Sequence, residues 1–139
     1  MADILKEIEV DADDSMLDEV IEFLEENLEE TGCSPKVQMQ ICVAAEEIFV
    51  NIAHYAYNPE KGKATVRVEV TGEPVTVTIT FMDNGVPFDP LAKEDPGEDV
   101  LTDEDKVGGL GIFMTKKMMD DVAYEYRDGK NILQMKKKL

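Results

Sequence analysis

Three short stretches of this 139-residue chain place reactive or ligating side chains at spacings that chemistry can use. The first is EEIFVN, residues 46–51. Glu47 and Asn51 stand four apart, so on a helix they stack on one face. With the apolar face centred near Ile48 and Ile52, both lie about 100° from that centre, at the same border. A partly buried carboxylate beside an amide oxygen suits a magnesium ion bound to phosphates. The asparagine ligates the ion, and the glutamate orients or deprotonates a nucleophile. Any solvated helix border shows the same spacing, so both readings stand. Glu46 falls on the opposite flank, towards solvent.

The second stretch is DNGVPFDPL, residues 83–91. By strict alternation Asp83 has the parity of Val75, Val77, Ile79 and Phe81, which turns its carboxylate inward. There it must find hydrogen-bond donors or raise its pKa. It serves either as a cap on its own turn or as the acceptor for an amino group of a buried ligand. A simple hairpin would return a strand directly after Asn84-Gly85. Pro87 and Pro90 make a poor returning strand, so a hairpin alone does not account for the segment.

The third stretch is VGGLGI, residues 107–112. Glycines just before a helix let backbone amides approach phosphate oxygens, and the helix N-terminus favours negative charge. A glycine-rich helix start with no ligand fits equally. No Gly-Lys-Ser/Thr follows, so it is not a P-loop, and no strand leads directly into it, so it is not a Rossmann fingerprint.

The elements that must position these residues follow from periodicity. Residues 3–11 read as a strand. From Asp14 the pattern is helical, with Leu17, Val20, Ile21, Leu24 and Leu28 on one face, ending at Thr31-Gly32. Ser34-Pro35 opens a second helix as N-cap and first-turn proline. Its apolar face runs Val37, Ile41, Ala44, Ala45, Ile48, Ile52 and Tyr55, and it stops before Asn58-Pro59. Strands follow at 64–70 and 75–83, then a loop of about twenty residues that carries Glu94, Asp95, Glu98, Asp99, Asp103, Glu104 and Asp105. A glycine-opened helix comes next. Strands at 122–126 and 132–139 are joined by Asp128-Gly129, a strong hairpin signal. This order predicts one α+β domain over residues 1–139, a two-layer sandwich. Its mixed, largely antiparallel sheet carries about three helices on one face.

Composition narrows the partners. Hydrophobic residues at 43% suit a globular core, while 31 acids against 14 bases leave a net charge of −17. Such a charge opposes nucleic-acid phosphates and anionic membrane surfaces. Cys33 and Cys42 form no metal or redox motif. The acidic start, MADILKEIEV, has no leader-like apolar run, and no stretch is long enough to span a bilayer, so a cytoplasmic location is expected.

The order E-x-x-x-N, D-x-G, acidic loop, G-G-L-G resembles the GHKL ATPase superfamily, with its histidine kinase-like (Bergerat) ATP-binding fold, over nearly the whole chain. Residues 47–51 look like its N box, 83–85 its first glycine box and 108–111 its second. The resemblance implies ATP and Mg²⁺ as cofactors. Asp83 would accept from the adenine amino group and Gly85 would let the base lie close. Asn51 would hold magnesium and Glu47 would act as base. Gly108, Gly109, Leu110 and Gly111 would hold phosphates under a lid formed by about 88–107. The only histidine, His54, lies within the N-box helix, an unsuitable place for a phosphoacceptor. DNGVPFDPL, NIAHYAY and GGLGIFMTKKMMDDVAYEY are most similar to bacterial anti-sigma regulatory factors of the serine-protein-kinase type. That branch implies a STAS-domain antagonist or a sigma factor as partner, phosphoryl transfer to serine, and a possible homodimer. The alternative is an ATP-gated binding module without catalysis. Two positions depart from the pattern. Pro87 replaces a frequent glycine and offers no N–H, and Asn131 stands where a nucleotide-contacting threonine is expected.

Overall fold

The computed structural model describes residues 3–57, 62–72, 75–87, 89 and 107–139, the side chains of 107–111 excepted. The chain runs β1 (Ile4–Asp11), a 3-10 turn (Asp14–Met16), α1 (Leu17–Glu29), α2 (Pro35–Tyr55), β2 (Lys63–Thr71), β3 (Thr76–Asp83), α3 (Val107–Met118), β4 (Asp121–Arg127) and β5 (Lys130–Lys138). The five strands form one sheet in the order β1-β2-β3-β5-β4, and every ladder is antiparallel. Helix and strand residues pack as two layers around one core, which is the α+β arrangement expected.

Local chemistry sets the element ends. Asp13 accepts from the Ser15 amide and starts the 3-10 turn, so α1 proper begins three residues later than the expected Asp14. Gly32, at φ 72, follows α1 in the left-handed region that a glycine enters cheaply. The Ser34 hydroxyl accepts from the Val37 amide, and Pro35 fills the first turn of α2. Asp128 and Gly129 have φ of 55 and 77, the paired positive values of a two-residue turn that suits strand twist. That turn pairs Arg127 with Lys130 and thereby sets the β4–β5 register.

Alternation puts Ala64, Val66, Val68 and Val70 of β2 on the inner face, beside Val77, Ile79 and Phe81 of β3. Directly opposite on β5 lie Leu133, partner of Phe81, and Met135, partner of Ile79. Helix α2 crosses this surface with Ile41, Ala44, Ala45, Ile48 and Phe49 buried. Two positions differ from the periodic expectation. Phe49 is fully buried, because α2 is covered by both α1 and α3 and so buries a wider stripe than one face. Tyr55, in the last turn, is 52% exposed, with its ring edge-on to His54.

Candidate functional site

Glu47 and Asn51 are half-buried and joined by one helical turn. The Asn51 Nδ2 donates to the Glu47 carbonyl at 2.9 Å and to its Oε1 at 3.1 Å. Both partners are acceptors, which fixes the amide orientation and leaves Asn51 Oδ1 as the acceptor that these bonds do not use. Burial pushes the Glu47 carboxyl above its ordinary value. The Asn51 hydrogen bond opposes that rise, and neighbouring Glu46 adds to it.

Asp83 ends β3 on the inner face and is only 5% exposed. Its Oδ1 accepts from the Gly85 amide and from the Asn131 Nδ2, each at 2.9 Å. Asp83 and Asn131 are register partners across β3 and β5, so a direct cross-strand contact is what the ladder dictates. Burial raises the Asp83 pKa, and these two donors pull it back. One oxygen, Oδ1, takes both the turn cap from Gly85 and the cross-strand bond from Asn131.

The turn after Asp83 is tied to the end of α2. The Val86 amide donates to the Ala56 carbonyl at 2.9 Å, and the Asn84 amide to the Tyr57 hydroxyl at 2.8 Å. That hydroxyl in turn donates to the Lys63 carbonyl at 2.6 Å. A Cβ on Gly85 would lie 2.2 Å from the Ala56 carbonyl oxygen. The protein's own backbone therefore requires glycine at this position.

Between α2 and the sheet lies a small cleft, partly open to solvent. Ile48, Ile52 and Ala56 form one wall, and Phe81 and Leu133 the other. Four polar residues face in: Asn51, Asp83, Tyr124 and Asn131. Two of the three sequence stretches thus meet in one hollow. Glu47 reaches it through Asn51. Gly108, Gly109 and Leu110 stand in the first turn of α3 rather than before it, and Gly111 follows in the next turn. In the first turn the leading backbone amides have no intrahelical acceptor, and α3 packs against α2. Of the expected lid, about 88–107, all but Asp89 and Val107 lies outside the described residues. The Lys117 ammonium sits 5.3 Å from the centre of the Phe113 ring on its own helix.

No group of three His, Cys, Asp or Glu among the described residues could hold a metal. A magnesium ion here would take Asn51 Oδ1 from the protein and complete its shell with phosphate oxygens and water, the arrangement the ion favours. The residues present fit that use. Tyr124 is the functional candidate that periodicity did not single out. In the sequence, Asn131 stands out only as a departure from the expected threonine. The signal was available in the hairpin, since a two-residue turn at 128–129 sets Tyr124 diagonal to Asn131 on the inner face.

Residues 10–137 match the histidine kinase-like ATPase domain family. The chain belongs to that family. It is 30% identical over 112 residues to the serine-protein kinase RsbW of Listeria monocytogenes, covering 76% of this chain and 69% of the relative. The serine/threonine-protein kinase BtrW of Bordetella bronchiseptica is 26% identical over 100 residues, covering 72% of this chain and 70% of that protein. The crystal structure of the RsbU and RsbW domains of a Mycobacterium tuberculosis protein shares the fold. It has a TM-score of 0.69 at 19% identity, over 98% of this chain, and this chain corresponds to 32% of that longer one. Membership of an ATPase family makes ATP the nucleotide this chain uses. Among the described residues no helix is long and apolar enough to cross a membrane.

Proposed function

We propose that this chain is an ATP-dependent serine-protein kinase that acts on a STAS-domain anti-sigma factor antagonist and holds a sigma factor in a partner-switching system. The observation that carries the reading is the meeting of Asn51 and Asp83, 32 residues apart, in one cleft between the layers. Adenine lies between the apolar walls, and Asp83 Oδ2 accepts from its amino group. Gly85 keeps the turn behind Asp83 tight. Asn51 Oδ1 would hold Mg²⁺, which would supply positive charge against the phosphates. First-turn amides of α3, at Gly108 and Gly109, take further phosphate oxygens.

Glu47 is the general base. The serine Oγ attacks the γ-phosphorus, its proton passes to Glu47, and the bond to the β–γ bridging oxygen breaks to release ADP. A carboxylate whose pKa is raised by burial is better matched to that proton than an exposed one. The test is incubation of labelled ATP with a purified STAS-domain partner. Phosphoserine should form, and Glu47→Ala should cut its rate at least ~100-fold while ATP affinity stays within about threefold of wild type. Equal phosphorylation by Glu47→Ala would remove the base assignment. Saturable ATP binding without phosphoserine on the true partner would leave an ATP-gated binding module.

A further inference from the structure

We propose that Tyr124 and Asn131 are positioning residues for base recognition, a relay from edge strand β4 through β5 that holds Asp83 Oδ1 and leaves Oδ2 turned to the base. The inference rests on the nucleotide reading above and adds two residues to it.

The case is one of hydrogen-bond capacity. A side-chain amide carries two N–H donors. On Asn131 one goes to Asp83 Oδ1 at 2.9 Å and the other to the Val86 carbonyl at 2.8 Å. Flipping this amide would set its oxygen against two acceptors, so the orientation is forced. The Asn131 Oδ1 then accepts from the Tyr124 hydroxyl. Both N–H groups are spent within the protein, and none is left for a ligand. What β5 supplies is therefore geometry.

Asp83 receives the consequence. Its Oδ1 is held by the Gly85 amide and by Asn131. Rotating the carboxylate out of this plane would cost both bonds at a side chain that is only 5% exposed. A single acceptor direction follows, and it selects a purine bearing an exocyclic amine over one bearing a carbonyl at the same carbon. Asn131 also ties Val86, so the relay braces the segment that leads away from the first glycine box.

Tyr124→Phe and Asn131→Leu remove the hydroxyl and the amide with little change of volume. Competition binding should compare ATP with inosine triphosphate, which has a carbonyl in place of the amine. Tyr124→Phe should weaken ATP about fivefold and Asn131→Leu at least tenfold, each narrowing the ATP-to-inosine preference by a similar factor. A packing role alone would weaken both nucleotides equally and leave the preference unchanged. The second readout needs no nucleotide. Titration of the Asp83 carboxyl by ¹³C NMR should show its midpoint move upward in Asn131→Leu and less so in Tyr124→Phe, because donors to a carboxylate favour its charged form. If wild type fails to bind ATP, the nucleotide reading falls and the carboxyl titration still decides the relay. An unmoved midpoint together with an unchanged preference overturns it. Should Asn131→Leu not fold, Tyr124→Phe carries both readouts by itself.

Discussion

Glu47 and Asn51 are held by one turn of one helix, whereas Asp83 is held by an asparagine 48 residues further along the chain and by the turn that follows it. The first pair is a local device. Its spacing guarantees the contact wherever α2 forms, and its exposed edge lets water stand in for a lost partner. The second is distributed over β3, β5 and the end of α2, at a carboxylate only 5% exposed. Changes in the local pair should therefore act mainly on chemistry. Changes around Asp83 should act on fold and binding together.

The largest effect should come from Gly85→Ala. The added Cβ would meet the Ala56 carbonyl oxygen at 2.2 Å and its carbon at 2.6 Å, both backbone atoms that a rotamer change cannot move. Relief requires shifting the end of α2 or the turn, which breaks the Val86–Ala56 bond. Overpacking plus that loss should cost about 3 kcal/mol in denaturant unfolding. A loss under about 1 kcal/mol would show that the two segments are not latched in solution.

Next is the pH dependence of Asp83→Asn. Burial raises the folded-state pKa of Asp83 above its ordinary 3.8. The folded state thus holds this proton more tightly than the unfolded one. Its contribution is fully present below the unfolded pKa and is lost as pH rises through the folded value. Asparagine has no proton to lose and can offer its oxygen to the same two donors. Between about pH 3.5 and 7 the melting temperature of Asp83→Asn should therefore rise relative to wild type, while its ATP affinity falls at least ~10-fold. A constant difference in melting temperature across that range would contradict the burial of an ionised carboxylate.

This contrast also marks what the sequence could disclose. The helical i, i+4 spacing made the Glu47–Asn51 contact legible, and strand parity made the inward aim of Asp83 legible. The caps at Ser34 and the turn at Asp128-Gly129 were readable for the same reason, since each depends on neighbours in sequence. What supports Asp83 was not readable. Periodicity shows that β5 has an inner face, but not that β5 lies beside β3 rather than β2, and only that neighbour relation puts Asn131 opposite Asp83. The need for glycine at 85 was likewise hidden. A resemblance explains it by a close-lying base, whereas the contact with Ala56 is set by where α2 ends.

At the local pair, Asn51→Ala should have a small effect on stability, within about 1 kcal/mol, because both groups are half exposed and the lost bonds are replaced by water. The Asn51 amide is the one influence that lowers the Glu47 pKa, so its removal should move the Glu47 titration upward. Magnesium-dependent ATP affinity should drop more than magnesium-free affinity. Equal losses in the two conditions would take the metal away from Asn51.

The smallest effect is expected at His54, the other polar residue of the same helix end. Its Nε2 lies 2.8 Å from Asp14 Oδ2, with the two side chains 49% and 58% exposed. An exposed pair of this kind contributes about 0.5 kcal/mol or less and is screened by salt. His54→Ala should therefore shift the unfolding midpoint barely, and less at high salt. The imidazole is spoken for by the 3-10 turn that opens α1, and it does not line the cleft where Asn51 and Asp83 meet. Phosphoryl transfer to serine should proceed at the wild-type rate in this variant. Acid-labile label on the protein itself, lost in His54→Ala, would instead make the histidine a phosphoryl carrier and overturn the direct route through Glu47.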